Sequence, residues 1–424
     1  MKRKIVKLCL LLAILLCSVL CFTSCDEDFT HYSGGYFYKI KNNEITITGC
    51  STIAESLVIP DTIKGKPVVA IDGDIAAPLT KTVTIPDSVR YIGGLVFNDC
   101  MMLENVILGN GIREIGFHAF DDCEKLIYNE YEGGKYLGNE QNPYIALIDV
   151  ASTEMGTFTL HPDTVVVAGN AIENCRQLQE NTFPDKVLSL GDWALQYCTS
   201  LETVYIPASV EFIDSWTFEK CYSLKNIVVS PENTHYRSID GSLFSYDGTH
   251  LLRYASGQKV SSYCVPEGTV TIGSRAFDCS DNIVEVIFPD SLEAIYSWAF
   301  DDCRGLERVV FGNGLKLIQT QAFISCKKIV EITLPDSLEE IQYSTFSGCT
   351  GLKKVTFGTG ITHIEFGVFS GCSALEEVVF ADPNGWTSYA GGWSSETVTM
   401  DVSDPKRNAE YFKGEYCEYL WNKK

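Results

Sequence analysis

Cysteine dominates the chemically capable residues of this chain, with seventeen cysteines in 424 residues. Nine of them recur in runs with a spacing of 23 residues: Cys100, Cys123, Cys175, Cys198, Cys221, Cys303, Cys326, Cys349 and Cys372. Cysteines could form disulfides or bind a metal. Equivalent residues of a repeat point the same way, however, whereas a disulfide needs facing side chains with a specific torsion. We therefore interpret these ladder cysteines as small, buried, apolar residues with a weak donor.

The remaining cysteines and polar motifs offer little chemistry. Four cysteines lie off the ladder and are the better disulfide candidates: Cys50, Cys264, Cys279 and Cys417. The sequence contains no CxxC pair, no Cys/His cluster at ligand spacing, and no HExxH, GxSxG or phosphate-loop pattern. The acidic pairs Asp121-Asp122 and Asp301-Asp302 share one position of the repeat, which favours a solvated turn over a hydrolase dyad or a calcium site. We predict a non-enzymatic protein without cofactor or metal.

The cysteine spacing marks a stacked repeat, because a fixed period of 20 to 50 residues is typical of solenoids. In the unit Leu201–Cys221, the apolar residues Val204 and Ile206 alternate with polar neighbours, as in a half-buried strand. A turn follows, Pro-Asp-Ser in some copies and Gly-x-Gly in others, and then a second short apolar stretch ending at Ile213. An aromatic anchor, Phe218 in this unit, is predicted on a short helical turn before the cysteine. One unit cannot bury its apolar residues alone, so stacked coils must form the core.

The frame LxxVxIPxSVxxIxxxAFxxC resembles the BspA-like leucine-rich repeat family of bacterial surface proteins. The segments YKIKNNEITITGC (38–50) and NGWTSYAGG (384–392) resemble the two ends of family members. The resemblance implies a mainly β, right-handed leucine-rich-repeat superhelix with short helical turns, hairpin insertions and a C-terminal cap. It also implies a non-enzymatic surface protein, some members being implicated in adhesion to host matrix proteins and in co-aggregation.

The resulting domain prediction has four parts. We expect a lipoprotein signal peptide at 1–24, a tether at 25–35, the solenoid at 36–380 and the cap at 381–424, with insertions at about 125–167 and 229–265 that interrupt the stack. Ile172 and Leu195 replace the anchor Phe, and Cys279 comes one residue early in its coil. Both insertions contain Gly-Asn or Asp-Gly turns between short strands, the signature of hairpins.

The N-terminus predicts export. Four basic residues precede an apolar run from Leu8 to Phe22, which is too short for a membrane span. The following FTSC resembles a bacterial lipobox, in which Cys25 is lipidated; an ordinary cleaved signal is the alternative. The acidic Asp26–Asp28 resembles a surface-export signal, so we expect a lipid anchor in the bacterial envelope, exposed on the outer membrane. The formal charge of −22 argues against nucleic acid and against an anionic membrane face, leaving the lipid as the membrane contact.

Two surfaces are candidates for binding a partner. The outward column of the first strands forms an apolar stripe beside a charged one that includes Arg308; its members are Ile107, Tyr205, Val228, Ile287, Val310, Thr333 and Thr356. Plain strand propensity is the alternative explanation. The insertions carry aromatic residues that could anchor a partner or pack the hairpins, among them Tyr136, Tyr144, Tyr236 and Tyr246.

These observations predict a protein-binding or adhesion module directed at host extracellular matrix or other bacterial surface proteins. The alternatives are a glycan-binding lipoprotein and a structural envelope component. The tryptophans that could stack on sugars are Trp216, Trp298, Trp386 and Trp393, although Trp216 and Trp298 share a repeat position that is better explained by structure.

Overall fold

The computed structural model describes residues 30–73, 75, 79–389, 397–414 and 416–423. The predicted signal peptide, Cys25 and Trp393 lie outside these residues. The chain forms a mainly β solenoid, in which each turn contributes one short strand to a ladder of parallel strands. This second-strand ladder has fourteen members: Glu44–Cys50, Lys66–Ile71, Tyr91–Ile92, Glu114–Ile115, Ala146–Val150, Val166–Val167, Ser189–Leu190, Phe212–Ile213, His250–Arg253, Thr271–Ile272, Ala294–Ile295, Leu317–Ile318, Glu340–Ile341 and His363–Ile364.

The first strands of the coils form a second ladder with buried and outward positions in alternation. In Thr203–Ile206 the side chains of Val204 and Ile206 enter the core, while Tyr205 points outward, as predicted. The members of this first-strand ladder are Ser56–Val58, Thr82–Thr84, Asn105–Ile107, Glu180–Thr182, Thr203–Ile206, Asn226–Val229, Ser262–Cys264, Glu285–Ile287, Arg308–Val310, Glu331–Thr333, Lys354–Phe357 and Glu377–Phe380. Pairing is parallel and in register within four separate three-stranded sheets.

The remaining elements close the ends and form the insertions. They are the strands His31–Ser33, Tyr36–Lys41, Thr62–Ile63, Asn129–Tyr131, Gly134–Leu137, Tyr236–Ile239, Ser242–Ser245, Trp386–Tyr389, Thr397–Thr399 and Leu420–Lys423, and the helix Pro405–Lys413. The helix begins at Asp404, whose carboxylate accepts the N–H groups of Lys406 and Arg407. Its buried Asn408 donates to the carbonyl of Val378, and this contact seats the cap on the last coil.

The turns between the two ladders are complementary from one coil to the next. Asp290 of a Pro-Asp-Ser turn accepts the backbone N–H of Asn313 in the following Gly-Asn-Gly turn at 2.8 Å. A side chain at Gly312 would lie 2.2 Å from the carbonyl oxygen of Pro289. Only glycine fits this close approach, so a Pro-Asp-Ser coil requires a glycine turn in the coil that stacks on it.

The anchor segment is a run of hydrogen-bonded turns, so the predicted short helical turn forms no regular helix in the described coils. Most coils place two residues of this segment at positive φ, for example Trp298 at 57° and Asp302 at 51°. The second of these positions precedes the ladder cysteine and is filled mostly by Asp, Asn or Gly, which tolerate this conformation best. The acidic pairs therefore reflect turn geometry, as expected.

Aromatic anchors and thiols form two columns through the core. The rings of Phe277, Phe300 and Phe323 stack with centroids 4.5 and 4.8 Å apart. The thiol of Cys303 donates to the carbonyl oxygen of Phe277 at 3.0 Å, and most other ladder cysteines repeat this bond at 3.1–3.2 Å. None of the thirteen cysteines in the described ranges forms a disulfide. Burial raises the pKa of the Cys221 thiol to about 12, so this group is a poor nucleophile.

The two insertions are hairpins, as predicted, but they do more than interrupt the stack. Each one ends in a strand that restarts the second-strand ladder: Leu147 pairs with Val167, and Leu251 pairs with Ile272. The hydrogen-bonded sheets nevertheless break ahead of each hairpin. The hydrophobic core divides at the second insertion, between Leu243 and Phe244. We call the two junctions the first seam and the second seam.

A buried polar group joins the two core halves at the second seam. The Arg253 guanidinium donates to the carbonyl oxygens of Phe218 and Arg275, both at 3.0 Å, and so replaces backbone bonds that the interrupted coil cannot make. Asp278 lies 4.0 Å from both Arg253 and Arg275 and is almost fully buried. Tyr254 fills the anchor column, stacked 4.9 Å from Phe277.

Candidate binding surface

The outward column of the first-strand ladder lies where the sequence predicts it. Tyr205 and Val228 are neighbours across one sheet and are about 40% exposed. Ile287 and Val310 are neighbours across the next sheet and are half-buried. Ile107 belongs to the first of the four sheets, and the pair Thr333 and Thr356 belongs to the last. The predicted stripe is therefore four short patches, of which the two central ones are apolar.

The charges beside these patches are largely paired with each other. Arg308, whose side chain is 71% exposed, contacts Glu285 at 2.9 Å, and Ser262 donates to the same carboxylate at 2.9 Å. Farther along, Lys354 lies 3.8 Å from Glu377. Exposed pairs of this kind add little stability. Because these charges pair with each other, the border of the apolar patches is nearly neutral. Such a border suits contact with a protein surface better than contact with a strongly charged ligand.

The insertion tyrosines differ in accessibility, and one prediction requires correction. Tyr136 is fully buried, and its hydroxyl accepts the N–H of His161, so it packs the first hairpin and cannot contact a partner. Tyr144 stacks on His161 with centroids 3.7 Å apart. The Tyr236 hydroxyl accepts the N–H of Ile213. Of the four predicted tyrosines, Tyr246 is the exposed one, at 55%.

A row of half-buried aromatic residues runs along the anchor segments. The Trp193 and Trp216 rings lie 5.0 Å apart, and the Arg275 guanidinium sits 3.3 Å above the Trp216 ring and 5.4 Å from the Trp298 ring. The indole N–H groups of Trp193 and Trp298 donate to Glu219 and Gln321. Sequence reasoning missed Trp193 and Arg275, although both occupy the position shared by Trp216 and Trp298.

These tryptophans do not form a flat platform. The interplanar angles between neighbouring indoles are 50° and 56°, and Arg275 occupies the space where a sugar would stack. Trp386 is buried within the cap, so the prediction that it could stack on a sugar is wrong. The arrangement is a structural cation–π stack.

Three partly buried carboxyl groups, Glu114, Asp192 and Asp214, influence one another beside the first seam; we call them the carboxylate cluster. Burial, with repulsion from the other two, raises the pKa of Glu114 to about 7. Burial and Asp214 raise the pKa of Asp192 to about 6. Burial also raises the pKa of Asp214. Among the residues with described positions, no group of three or more His, Cys, Asp or Glu side chains could hold a metal ion.

The repeat is the part of the chain that matches a known protein family. The profile of the BspA type leucine rich repeat region matches six copies over residues 77–138, 151–264 and 270–386. The chain belongs to the BspA-type leucine-rich repeat family. The matched ranges include the ladder cysteines and the hairpin strands of the second insertion, whereas residues 139–150 of the first insertion lie between two of them. Members of a repeat family of this type present extended, stacked surfaces, and binding is the usual role of such surfaces.

Several solved structures resemble this BspA-type protein. They include a leucine-rich cell surface protein from Faecalibacterium prausnitzii, with 23% identity, 85% of this chain and 97% of that chain covered, and a TM-score of 0.47. The pneumococcal vaccine antigen PcpA has 20% identity, covers 84% and 88%, and has a TM-score of 0.47. A leucine-rich repeat protein from Eubacterium ventriosum has 18% identity, covers 82% and 84%, and has a TM-score of 0.49. No curated protein matches the chain.

The helical content places one limit on membrane contacts. Over the positions that the structure describes, no helix has the length and apolar character needed to cross a bilayer.

Proposed function

We propose that this protein is a non-enzymatic, lipid-anchored surface protein that binds another protein through the central patches of its first-strand face. The observation that carries the proposal is the exposure of Tyr205 and Val228, side by side on one sheet, with Ile287 and Val310 continuing the column on the next. Aromatic and aliphatic residues with a neutral polar border are typical of protein interfaces.

A protein partner fits this face better than a glycan. Sugars stack on open aromatic faces, whereas the tryptophans of the anchor segments pack at steep angles and bond their indole N–H groups internally. The strand face offers a single aromatic ring, Tyr205, among β-branched neighbours. The glycan-binding alternative therefore loses its strongest candidates.

Export and anchoring rest on the N-terminal sequence. A basic start, an apolar run and the FTSC motif support lipidation at Cys25. The names of similar solved proteins, a cell surface protein and a vaccine antigen, agree with display outside the cell. Mass spectrometry of protein isolated from the native cells tests the anchor: we expect a lipid-sized increment on Cys25, and an unmodified Cys25 would contradict it.

The binding test uses soluble protein spanning residues 26–424 and panels of host matrix proteins, bacterial surface proteins and glycans at two salt concentrations. The double variant Tyr205→Asp/Val310→Asp places two charges in the central patches. Tyr343→Asp/Val398→Asp is the matched control, because both residues are exposed side chains outside the first-strand ladder.

The proposal predicts a saturable protein ligand whose binding is lost in Tyr205→Asp/Val310→Asp and kept in the control. Equal loss in both variants would show a nonspecific effect. A glycan hit that survives the patch substitutions would replace the protein-binding role with the glycan-binding one. Silence on every panel would favour a structural envelope role, which a deletion strain with weakened envelope integrity and normal adhesion would support.

A further inference from the structure

The first seam contains a cavity that the repeat pattern explains. Along the anchor segments, three backbone N–H groups of each coil normally donate to carbonyls of the next coil. In the coil before the seam these bonds are present: the N–H groups of Leu95, Phe97 and Asp99 donate to the carbonyls of Phe117, Ala119 and Asp121 at 2.9–3.0 Å. This three-bond row is the standard connection between adjacent coils.

At the first seam the row is missing. The N–H groups of His118, Phe120 and Asp122 have no partner among the described residues. The carbonyls that should receive such bonds in the next coil, those of Gly169, Ala171 and Glu173, have none there either. A row of donors thus faces a row of acceptors across the junction, and neither row is satisfied within the protein.

The cause is the path of the first hairpin. Its strand Ala146–Val150 joins the second-strand ladder, but Ala151 then bonds back to Gly133 of the hairpin, so this layer has no anchor segment. The second insertion behaves differently, because Tyr254 continues into the anchor column and bonds to Ala276. The anchor layer is absent at the first seam and present at the second, although the N–H groups of Phe218 and Lys220 also have no partner among the described residues there.

The space left by the missing layer is a cavity of about 240 Å³. Its walls come from the coil of Phe120, from the coil of Gly169 and from Ile148 and Asp149 of the hairpin. This volume is below the roughly 300–1,000 Å³ of pockets that enclose drug-sized ligands. It suits a short stretch of backbone or a single side chain.

The charged groups around the cavity are mostly acidic. Asp121 is bound by His118 at 2.5 Å, Asp149 by Lys135 at 2.6 Å, and Glu173 by the amide of Asn174 at 3.1 Å. The Asn170 side-chain oxygen is buried and has no hydrogen-bond partner. Three carboxylates, those of Asp121, Asp149 and Glu173, line the cavity, and their charged or ionisable partners are one lysine and one histidine, so the site favours a positive charge.

We propose that this cavity binds a short extended peptide segment carrying a basic side chain. A peptide supplies carbonyls to the donor row, N–H groups to the acceptor row, and an ammonium or guanidinium to the carboxylates. A bare cation would be repelled by the row of N–H groups, and a free anion would be repelled by the carboxylates. The peptide alone satisfies both rows and the charge. The site lies apart from the first-strand face, so it goes beyond the proposed function.

Hydrogen exchange read by mass spectrometry tests the site on the folded protein, with acetyl-Ala-Arg-Ala-amide as the probe and acetyl-Ala-Gln-Ala-amide as the neutral comparison. Without a probe, the amides of 117–123 should exchange faster than the equivalent amides of 94–100. The arginine peptide should slow exchange in 117–123 and leave 94–100 unchanged.

Asp149→Asn/Glu173→Gln keeps similar shapes and removes two charges. It should weaken binding of the arginine peptide on the order of tenfold for each charge-assisted bond lost. Glu339→Gln/Glu376→Gln removes the same charge from exposed positions elsewhere and should bind normally. Ile148→Trp, which places an indole in the cavity, should abolish binding in a protein whose circular dichroism is unchanged.

Three outcomes would overturn the proposal. Slow exchange in 117–123 without any probe would mean that the gap is closed. No protection by either peptide would mean that the cavity holds only water. Equal protection by both peptides, unaffected by Asp149→Asn/Glu173→Gln, would remove the basic specificity. None of these results depends on the first-strand face, so they are distinguishable from failure of the Tyr205→Asp/Val310→Asp test.

Discussion

Substituting Arg253 with Met should uncouple the two halves of the solenoid. Arg253 is 3% exposed and bonds to carbonyls on both sides of the second seam. Methionine has a similar length and no donor, so the carbonyls of Phe218 and Arg275 would stay buried without these partners. Asp278 would also lose one of the two arginines near its carboxylate.

The expected loss follows from these contacts. Removing one partner of a buried charge pair costs about 3–5 kcal/mol, because the remaining charge stays in a medium of low polarity. Each of the two charge-assisted hydrogen bonds contributes about 1.5–3 kcal/mol, which agrees with this range. Arg275 remains 4.0 Å from Asp278, so we place the loss for Arg253→Met near the lower limit, about 3 kcal/mol.

Equilibrium unfolding in urea, read by hydrogen exchange in segments on each side of the seam, measures this effect. A solenoid is stabilised by its repeats and by nearest-neighbour interfaces, so weakening one interface should separate one transition into two. Arg308→Met is the control. Its side chain is 71% exposed and its pair with Glu285 should contribute about 0–1 kcal/mol.

The reasoning is refuted if Arg253→Met loses less than about 1 kcal/mol and both halves still unfold together, since exposed pairs contribute no more than that. It is also refuted if Arg308→Met produces the same split. Either result would mean that apolar contacts alone couple the two core clusters.

Three further predictions concern the core and its ends. Burial and two neighbouring carboxyl groups raise the pKa of Glu114 to about 7, so its protonated form stabilises the fold fully below about pH 4.5, and this stabilisation is lost as the pH rises through 7. In urea titrations Glu114→Gln should therefore add on the order of 1–2 kcal/mol at pH 8, after allowance for solvent screening, and little at pH 4, and an equal effect at both pH values would contradict this. Cys349→Ala removes a buried thiol that donates to the carbonyl oxygen of Phe323, and it should cost about 1–2 kcal/mol of the free energy of unfolding. Thiol titration of denatured, unreduced protein should find the ladder cysteines as thiols, and disulfides at most of these positions would contradict the prediction. Phe412→Ala should cost about 3–5 kcal/mol and expose the last coil, giving a rise in light scattering; a monodisperse variant of unchanged stability would contradict the capping role.

The repeat made most of the fold predictable. Alternation in Thr203–Ile206 predicted the outward and buried columns, and the period of 23 residues predicted the cysteine ladder. These succeed because stacked coils place equivalent residues in equivalent surroundings, so local pattern and tertiary position coincide. The anchor segment was less predictable: positive φ at Trp298 produces turns where apolar spacing indicated a helical turn.

The candidate sites were predictable only in part. The outward column follows from strand alternation, but its division into four sheets does not. Two of the breaks fall at the hairpins, and the third, between Arg308–Val310 and Glu331–Thr333, falls where no hairpin enters. The burial of Tyr136 and the stacking of Arg275 on Trp216 depend on neighbours that are distant in sequence. Side chains in insertions have no repeat partner from which their direction can be inferred.

Residue spacing along the chain specifies the repeat unit, the strand faces, the absence of disulfides expected in the cysteine ladder and the positions of both hairpins. These properties are set by local spacing and by the identity of neighbouring coils. Only the tertiary structure decided how each hairpin rejoins the stack. Because Ala151 turns back to Gly133 whereas Tyr254 continues into the anchor column, the first junction keeps a cavity between its donor and acceptor rows, and the second is bridged by a buried arginine.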